Sequence, residues 1–119
     1  MRFMVLVKAN KDSEAGVLPT KDQLAEMGAF NEEMIKAGVM LDGDGLQASS
    51  KGARIRYAGD KQTITDGPFA ETKEALGGYW IIEVASRDDA IAWAKRCPAA
   101  DGDVIEVRRI YGPEDFGPA

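Results

Sequence analysis

Apolar residues recur in six short stretches of the chain, and in most of them they alternate with polar residues, as in half-exposed β-strands. The pattern predicts strands at residues 2–8, 39–47, 53–58, 62–65, 77–85 and 103–111. Gly59 and Asp60 separate the third and fourth stretches and have the residue types of a tight hairpin turn. The sequence therefore predicts an antiparallel sheet and one hairpin.

One longer segment shows the periodicity of a helix. It begins at Thr20, which forms a capping-box pattern with Gln23, and ends at Gly38, a residue type that favours a left-handed C-cap. Glycine in mid-helix at position 28 fits either close packing against a neighbour or a tolerated weak point. The predicted buried stripe consists of Leu24, Met27, Met34 and Ile35.

A second helical segment is predicted between Ser86, which has Asp89 three positions on, and Pro98, with Ile91, Ala94 and Cys97 as its apolar stripe. The elements then follow the order strand, helix, strand, hairpin, strand, helix, strand. This is the split βαβ pattern of ferredoxin-like folds with a hairpin inserted in its middle. The predicted fold class is α+β, an antiparallel sheet with two helices on one face.

Both faces of the two most apolar strands carry hydrophobic side chains. Phe3, Val5 and Val7 alternate with Met4 and Leu6, and Tyr79 and Ile81 alternate with Trp80, Ile82 and Val84. Two helices cover only one face of an antiparallel sheet, whose other face is ordinarily polar. We therefore expect a homodimer joined sheet to sheet, with the remaining polar groups lining a cavity between the subunits.

Composition narrows the classes of protein. The 119 residues suit a single domain over residues 1–119, with residues 112–119 as a C-terminal tail. A net charge of −5 argues against nucleic-acid binding, and no apolar run is long enough for a membrane span. With one cysteine and neither a signal-peptide core nor a disulfide, a cytoplasmic protein is expected. The chain has no histidine, and no metal site or cofactor is predicted.

The densest group of candidate site residues lies in the stretch TITDGPFAETKEALGGYW, residues 63–80. In one interpretation it is only a turn, in which Asp66 caps backbone amides and Phe69 plugs the end of the core. In the other, Asp66, Glu71 and Lys73 border the cavity between subunits, where burial and mutual charge shift their pKa values toward acid–base work or ligand binding.

Other candidates carry weaker signals. Arg108 and Arg109 must point to opposite faces of the last strand, so one of them is predicted to face the cavity. There it pairs with Asp66 or Glu71 or binds a ligand carboxylate, and Arg108 is our ligand-binding candidate. Cys97 is interpreted as a small core residue. Arg54 and Arg56 share one face of a strand and are interpreted as part of an ordinary two-faced strand.

Several motifs together resemble the DGPF group of the YCII-related proteins. They are TDGPFAETKEALGGYWIIE, DDAIAWAKRCPA, IEVRRI and EDF, and the resemblance extends to Phe116. The positions that match the central motif are Asp66, Gly67, Pro68, Phe69, Glu71, Lys73, Glu74, Gly77, Gly78 and Trp80. The resemblance implies a dimeric ferredoxin-like α/β barrel and an association with sigma factors of the extracytoplasmic-function type.

The resemblance implies little about chemistry. The histidine–aspartate pair suspected of catalysis in YCII-type members has no counterpart in a chain without histidine. Three function classes stay open: a dimeric small-molecule-binding or accessory protein, an enzyme that uses acidic residues with lysine or arginine, and a protein-interaction module without a cavity. Whether the protein is an enzyme is not decided by its sequence, and we favour the first class.

Overall fold

The computed structural model describes residues 1–69 and 74–118. The strands are β1 (Arg2–Lys8), β2 (Met40–Gly45), β3 (Ala53–Ala58), β4 (Lys61–Asp66), β5 (Leu76–Glu83) and β6 (Ile105–Arg109), and the α-helices are α1 (Lys11–Glu14), α2 (Lys21–Lys36) and α3 (Arg87–Ala94). Short 3-10 turns cover Ser49–Lys51 and Pro113–Phe116. The predicted α+β class is confirmed, and α1 is an addition within the predicted loop.

Four strands form an antiparallel sheet in the order β2-β5-β1-β6. Helix α2 connects β1 to β2 and helix α3 connects β5 to β6, so each connection crosses a strand from the other half of the chain. β3 and β4 pair only with each other, in a separate two-stranded sheet within the described residues. We call this hairpin, residues 53–66, the arm.

The core lies between one face of the four-stranded sheet and helices α2 and α3. Its buried members are Phe3, Val5, Phe30, Met34, Trp80, Ile82, Val84 and Ala90. The Phe30 ring meets Trp80 edge to face at 5.3 Å between centroids, and the Trp80 Nε1 donates a hydrogen bond of 2.8 Å to Asn31 Oδ1. An aromatic contact between α2 and β5 thus lies within a core of mixed aliphatic and aromatic side chains, and the indole N–H is hydrogen-bonded at the edge of that core.

The predicted stripe of α2 is partly wrong. Met34 is buried and Met27 packs against the core, but Leu24 and Ile35 are 57% and 60% exposed. Phe30, three residues after Met27 and four before Met34, takes their place in the core. The caps are as predicted, because the Thr20 side chain accepts from the Gln23 amide and Gly38 has a φ of 73°.

Two predictions about helix detail are decided by local geometry. A Cβ added at Gly28 would meet no atom within 4 Å, so this glycine is a tolerated weak point rather than a close-packing site. Helix α3 begins after Ser86, whose side chain accepts from the Asp89 amide, but it ends at Ala94 rather than at Pro98. None of the helices in the described residues is long and apolar enough to cross a membrane.

Candidate functional site

The second sheet face is the surface of the four-stranded sheet that faces away from α2 and α3. The register places Met4 beside Ile81 and Arg108, and Leu6 beside Tyr79 and Glu106. On the outer strand β2, Asp42 lies beside Ile81 and Asp44 beside Tyr79. The second sheet face therefore has an apolar centre with charged groups toward both edges.

No helix or strand among the described residues covers the apolar centre of this face. Met4, Leu6, Tyr79 and Ile81 are all only half-buried in the isolated chain, while their neighbours Phe3, Val5, Trp80 and Ile82 are buried on the helix side. The prediction that both faces of β1 and β5 are apolar is thus confirmed at the level of the single chain.

Tyr79 joins the apolar centre to the acidic edge. Its hydroxyl donates a hydrogen bond of 3.3 Å to Asp42 Oδ2. The Asp42 carboxylate raises the pKa of Tyr79 above its ordinary value, because a second negative charge beside it disfavours the tyrosinate; Asp44 adds to the effect. Tyr79 therefore stays protonated near neutral pH and acts there as a hydrogen-bond donor rather than as a base.

The opposite edge carries a mixed-charge cluster. Glu106 accepts from Arg108 at 3.3 Å and faces the Lys8 ammonium at 3.5 Å. The hydrogen bond from Arg108, with the charge of Lys8, holds the pKa of Glu106 below its usual range, so this carboxyl is ionised near neutral pH. Arg108 is 72% exposed and keeps donors free for a further acceptor.

The predicted division between the two arginines of the last strand holds. Arg108 lies on the second sheet face and Arg109 on the other, since their neighbours on β1 are Met4 and Phe3. Neither arginine pairs with Asp66, and the alternative pairing with Glu71 stays a prediction because Glu71 lies outside the described residues. Arg108 pairs with Glu106, and Arg109 pairs with Asp115 at 2.8 Å and Glu114 at 2.9 Å, because those acids follow closely in the chain.

Of the three site candidates near the central motif, one is described. Asp66 is the last residue of β4, paired with Ala53 on the arm and exposed to solvent. It therefore belongs to the arm and not to the four-stranded sheet. Glu71 and Lys73 lie outside the described residues, so their position relative to a cavity stays a prediction.

The motif loop that starts at Gly67 is fastened to the segment before the arm. The Gly67 amide donates to the Gly52 carbonyl at 3.0 Å, and the Phe69 amide donates to the Ser49 Oγ at 3.3 Å. Ser49 in turn donates to Glu14 at the end of α1, from its amide at 2.9 Å and from its hydroxyl. These bonds lower the pKa of Glu14, so the anchoring carboxylate stays ionised.

One interpretation of the sequence predicted that Phe69 plugs the end of the core, and this prediction is wrong. The half-buried Phe69 ring lies under Arg54 of the arm, with 3.7 Å between the guanidinium carbon and the ring centroid. The ring therefore packs against the arm and not in the core between the helices and the four-stranded sheet. The turn interpretation is therefore wrong about the plug, and the amides of Gly67 and Phe69 donate to Gly52 and Ser49 rather than to Asp66.

Cys97 behaves as the sequence predicts. It packs against the core, and burial raises the pKa of its thiol to about 11, with a smaller contribution from Asp103. At neutral pH the thiol form therefore predominates, which agrees with the interpretation of Cys97 as a small core residue.

Sequence reasoning missed the polar pairs of the second sheet face. A signal was available, because Asp42, Asp44, Glu106 and Arg108 alternate with non-charged or core residues on β2 and β6, which predicts that each pair shares a face. Which strands are neighbours, and hence that Asp42 meets Tyr79 and Glu106 meets Lys8, depends on strand order and cannot be read along one strand.

Comparison with known proteins gives the class. The chain belongs to the YCII-related domain family, whose sequence pattern matches residues 1–113. The predicted membership is thereby confirmed, and the Asp66–Phe69 motif of the DGPF group is consistent with it. An uncharacterized protein of Rhizobium meliloti (strain 1021) is 32% identical over 97 residues, which span 78% of this chain and 78% of that protein.

A solved structure is similar over most of its length. A 5-chloro-2-hydroxyhydroquinone dehydrochlorinase from Burkholderia phenoliruptrix AC1100, in complex with 2,5-dihydroxybenzoquinone, superposes with a TM-score of 0.48. The alignment has 17% sequence identity and covers 94% of this chain and 96% of that chain.

Proposed function

We propose that this YCII-related protein is a homodimer of ferredoxin-like subunits that binds a small molecule between two opposed second sheet faces. One observation carries the proposal: a half-buried apolar centre, Met4, Leu6, Tyr79 and Ile81, bounded by hydrogen-bonding and charged groups. A sheet face of this composition is stable when covered, and a cavity with an apolar lining and few polar groups is typical of small-molecule sites.

Binding is favoured over acid–base catalysis by the charge states of the described groups. Tyr79 is held protonated by Asp42, Glu106 is held ionised by Arg108 and Lys8, and the Cys97 thiol is held protonated by burial. Each shift moves the pKa away from neutral pH, whereas a general acid or base works best with a pKa near the working pH. Tyr79 and Glu106 on the second sheet face suit the recognition of a polar ligand by a fixed donor and a fixed acceptor.

Within this proposal Arg108 is the predicted ligand-binding residue that lies on the second sheet face. Asp66, Glu71 and Lys73 keep a proposed role at the rim of the cavity, which the motif loop would border in a dimer. A role beside sigma-factor-linked regulation is proposed from the family resemblance alone.

The experiment is native mass spectrometry of the wild-type chain, with Leu6→Asp and Leu24→Asp as a matched pair. Leu6 lies at the centre of the second sheet face and Leu24 is 57% exposed on α2. The wild type and Leu24→Asp are expected at the dimer mass, and Leu6→Asp at the monomer mass, because a buried unpaired carboxylate opposes the interface. A ligand retained by the wild type would appear as added mass that Leu6→Asp lacks.

Circular dichroism of both variants checks that they remain folded. A monomeric wild type, or a folded Leu6→Asp that dimerises as strongly as the wild type, would refute the sheet-to-sheet arrangement. If Leu6→Asp does not fold, Ile81→Lys on the neighbouring strand replaces it, with the same expected result.

A further inference from the structure

The arm carries its three basic residues on one face, whereas its one strand carboxylate, Asp66, lies on the other face with most of its apolar residues. Arg54 and Arg56 of β3 share one face with the opposite residues Thr65 and Thr63 and with Lys61, while the other face carries Ile55, Tyr57 and Ile64. No carboxylate lies among the strand residues of this basic face, although the whole chain has a net charge of −5. The basic face is therefore a local positive field on an acidic protein.

Phe69 holds one of the two guanidiniums in place. Arg54 lies over the Phe69 ring at 3.7 Å, and the ring is anchored through the Phe69 amide on Ser49. A guanidinium that lies over an aromatic face keeps its N–H donors available around its edge. The Arg54 side chain is thus already ordered in the free protein, so it loses less conformational entropy when a ligand binds.

A cavity of about 460 Å³ opens at this position. It is lined by Arg54, Ile55, Arg56, Thr65 and Phe69. Its volume lies in the range of about 300–1,000 Å³ found for small-molecule sites. Among the described residues, neither Arg54 nor Arg56 takes part in an ion pair, whereas Arg96, Arg108 and Arg109 all do. Two guanidiniums and a hydroxyl thus converge beside an aromatic ring.

We propose that this cavity at the base of the arm binds a small organic anion with a flat apolar body, of which an aromatic carboxylate is the simplest member. Arg54, Arg56 and the Thr65 hydroxyl donate to the carboxylate, since guanidinium and carboxylate match in a two-pronged geometry. The ring of the ligand packs against Phe69, because the Ile55 side chain lies on the other face of the arm and only its backbone lines the cavity. The site goes beyond the proposed function because it lies on the arm and not on the second sheet face.

The test is a titration of the full-length protein with benzoate at constant ionic strength, followed by amide NMR. Saturable shifts are expected at Arg54, Arg56 and Thr65, at one site per chain. Benzamide, which has the same ring without the charge, is expected to give no saturable shift. Arg56→Gln is expected to weaken benzoate binding by about tenfold or more, because a hydrogen bond between charged groups is lost.

Lys61→Gln is the matched control. It removes one positive charge from the same face, but at the tip of the arm and away from the cavity, so benzoate binding should stay within about twofold of the wild type, as expected for a screened charge. An equal loss in Lys61→Gln and Arg56→Gln, or equal binding of benzamide and benzoate, would overturn the site. Equal binding of inorganic phosphate would overturn the aromatic part of the proposal.

The same titration on Leu6→Asp separates this inference from the proposed dimer. Benzoate shifts that persist at Arg54 and Thr65 in a monomeric variant support the arm site by itself. Loss of these shifts in a folded Leu6→Asp would refute the proposal of a binding site formed within one chain. It would not contradict the proposed sheet-to-sheet dimer.

Discussion

At Gly67 the backbone passes closer to a neighbouring segment than a side chain would allow. A Cβ placed there would lie far inside van der Waals contact of the Ser49 carbonyl oxygen. The glycine of the central motif is therefore required by the close approach of two loops, since the Gly67 amide bonds to Gly52 in the same contact.

Gly67→Ala is expected to lower the free energy of unfolding by about 1–3 kcal/mol, the usual cost of forcing extra atoms into a packed contact. Chemical denaturation measures the change. Gly28→Ala provides the control, because its Cβ meets open space in the middle of α2. That substitution is expected to raise the free energy of unfolding by up to about 1 kcal/mol. Equal effects of the same sign would contradict the contact between Gly67 and Ser49.

The sequence predicted that Tyr79 and Trp80 lie on opposite faces of the sheet, but not which of the two lies on the helix side. Strand alternation requires that the two side chains point in opposite directions, and this much follows from their adjacent positions in the sequence. The choice depends on where α2 lies, because Asn31 of that helix accepts the Trp80 N–H while Asp42 accepts the Tyr79 hydroxyl.

At the scale of elements, α2 is held to the sheet by Phe30. This residue is 5% exposed and contacts the Trp80 ring at 5.3 Å and the Trp93 ring at 6.4 Å, so it joins α2, β5 and α3. The sequence contained the signal, because Met27, Phe30 and Met34 have the i, i+3, i+7 spacing of one helix face. The predicted stripe with Leu24 and Ile35 describes a neighbouring face.

Phe30→Ala is expected to lower the free energy of unfolding by about 3–5 kcal/mol, as the truncation of a buried aromatic residue usually does. Ile35→Ala, at a position 60% exposed, is expected to change it by no more than about 0.5 kcal/mol. Thermal and urea unfolding of both variants, followed by circular dichroism, measure the difference. Similar losses in the two variants would contradict the assignment of Phe30 to the core and of Ile35 to the surface.

At the scale of the whole molecule, the chain is more extended than its length requires. Its radius of gyration is 16.5 Å and its principal extents are 49 × 45 × 20 Å. A compact domain of this length has a radius of gyration of about 13.5 Å. The excess is explained by the arm, whose strands pair with no others among the described residues and whose residues are all exposed.

Small-angle X-ray scattering tests this extended form. Leu6→Asp, as a monomer, is expected to have a radius of gyration near 16.5 Å, and the wild-type dimer a larger one. The scattering mass of each sample serves as the control for its oligomeric state. A monomer with a radius near 13.5 Å, the compact value, would mean that the arm folds back onto the sheet.

The sequence by itself determined the six strands, the two longer helices, the order of these elements and the family. Strand alternation, the caps at Thr20 and Ser86, the turn at Gly59 and the central motif are all local, so they can be read along the chain. Only the tertiary structure decided that Asp42 meets Tyr79, that Glu106 meets Lys8, and that Arg54 lies over Phe69. These contacts join segments far apart in the chain or on different strands, and strand order and loop path bring them together, which no local pattern encodes.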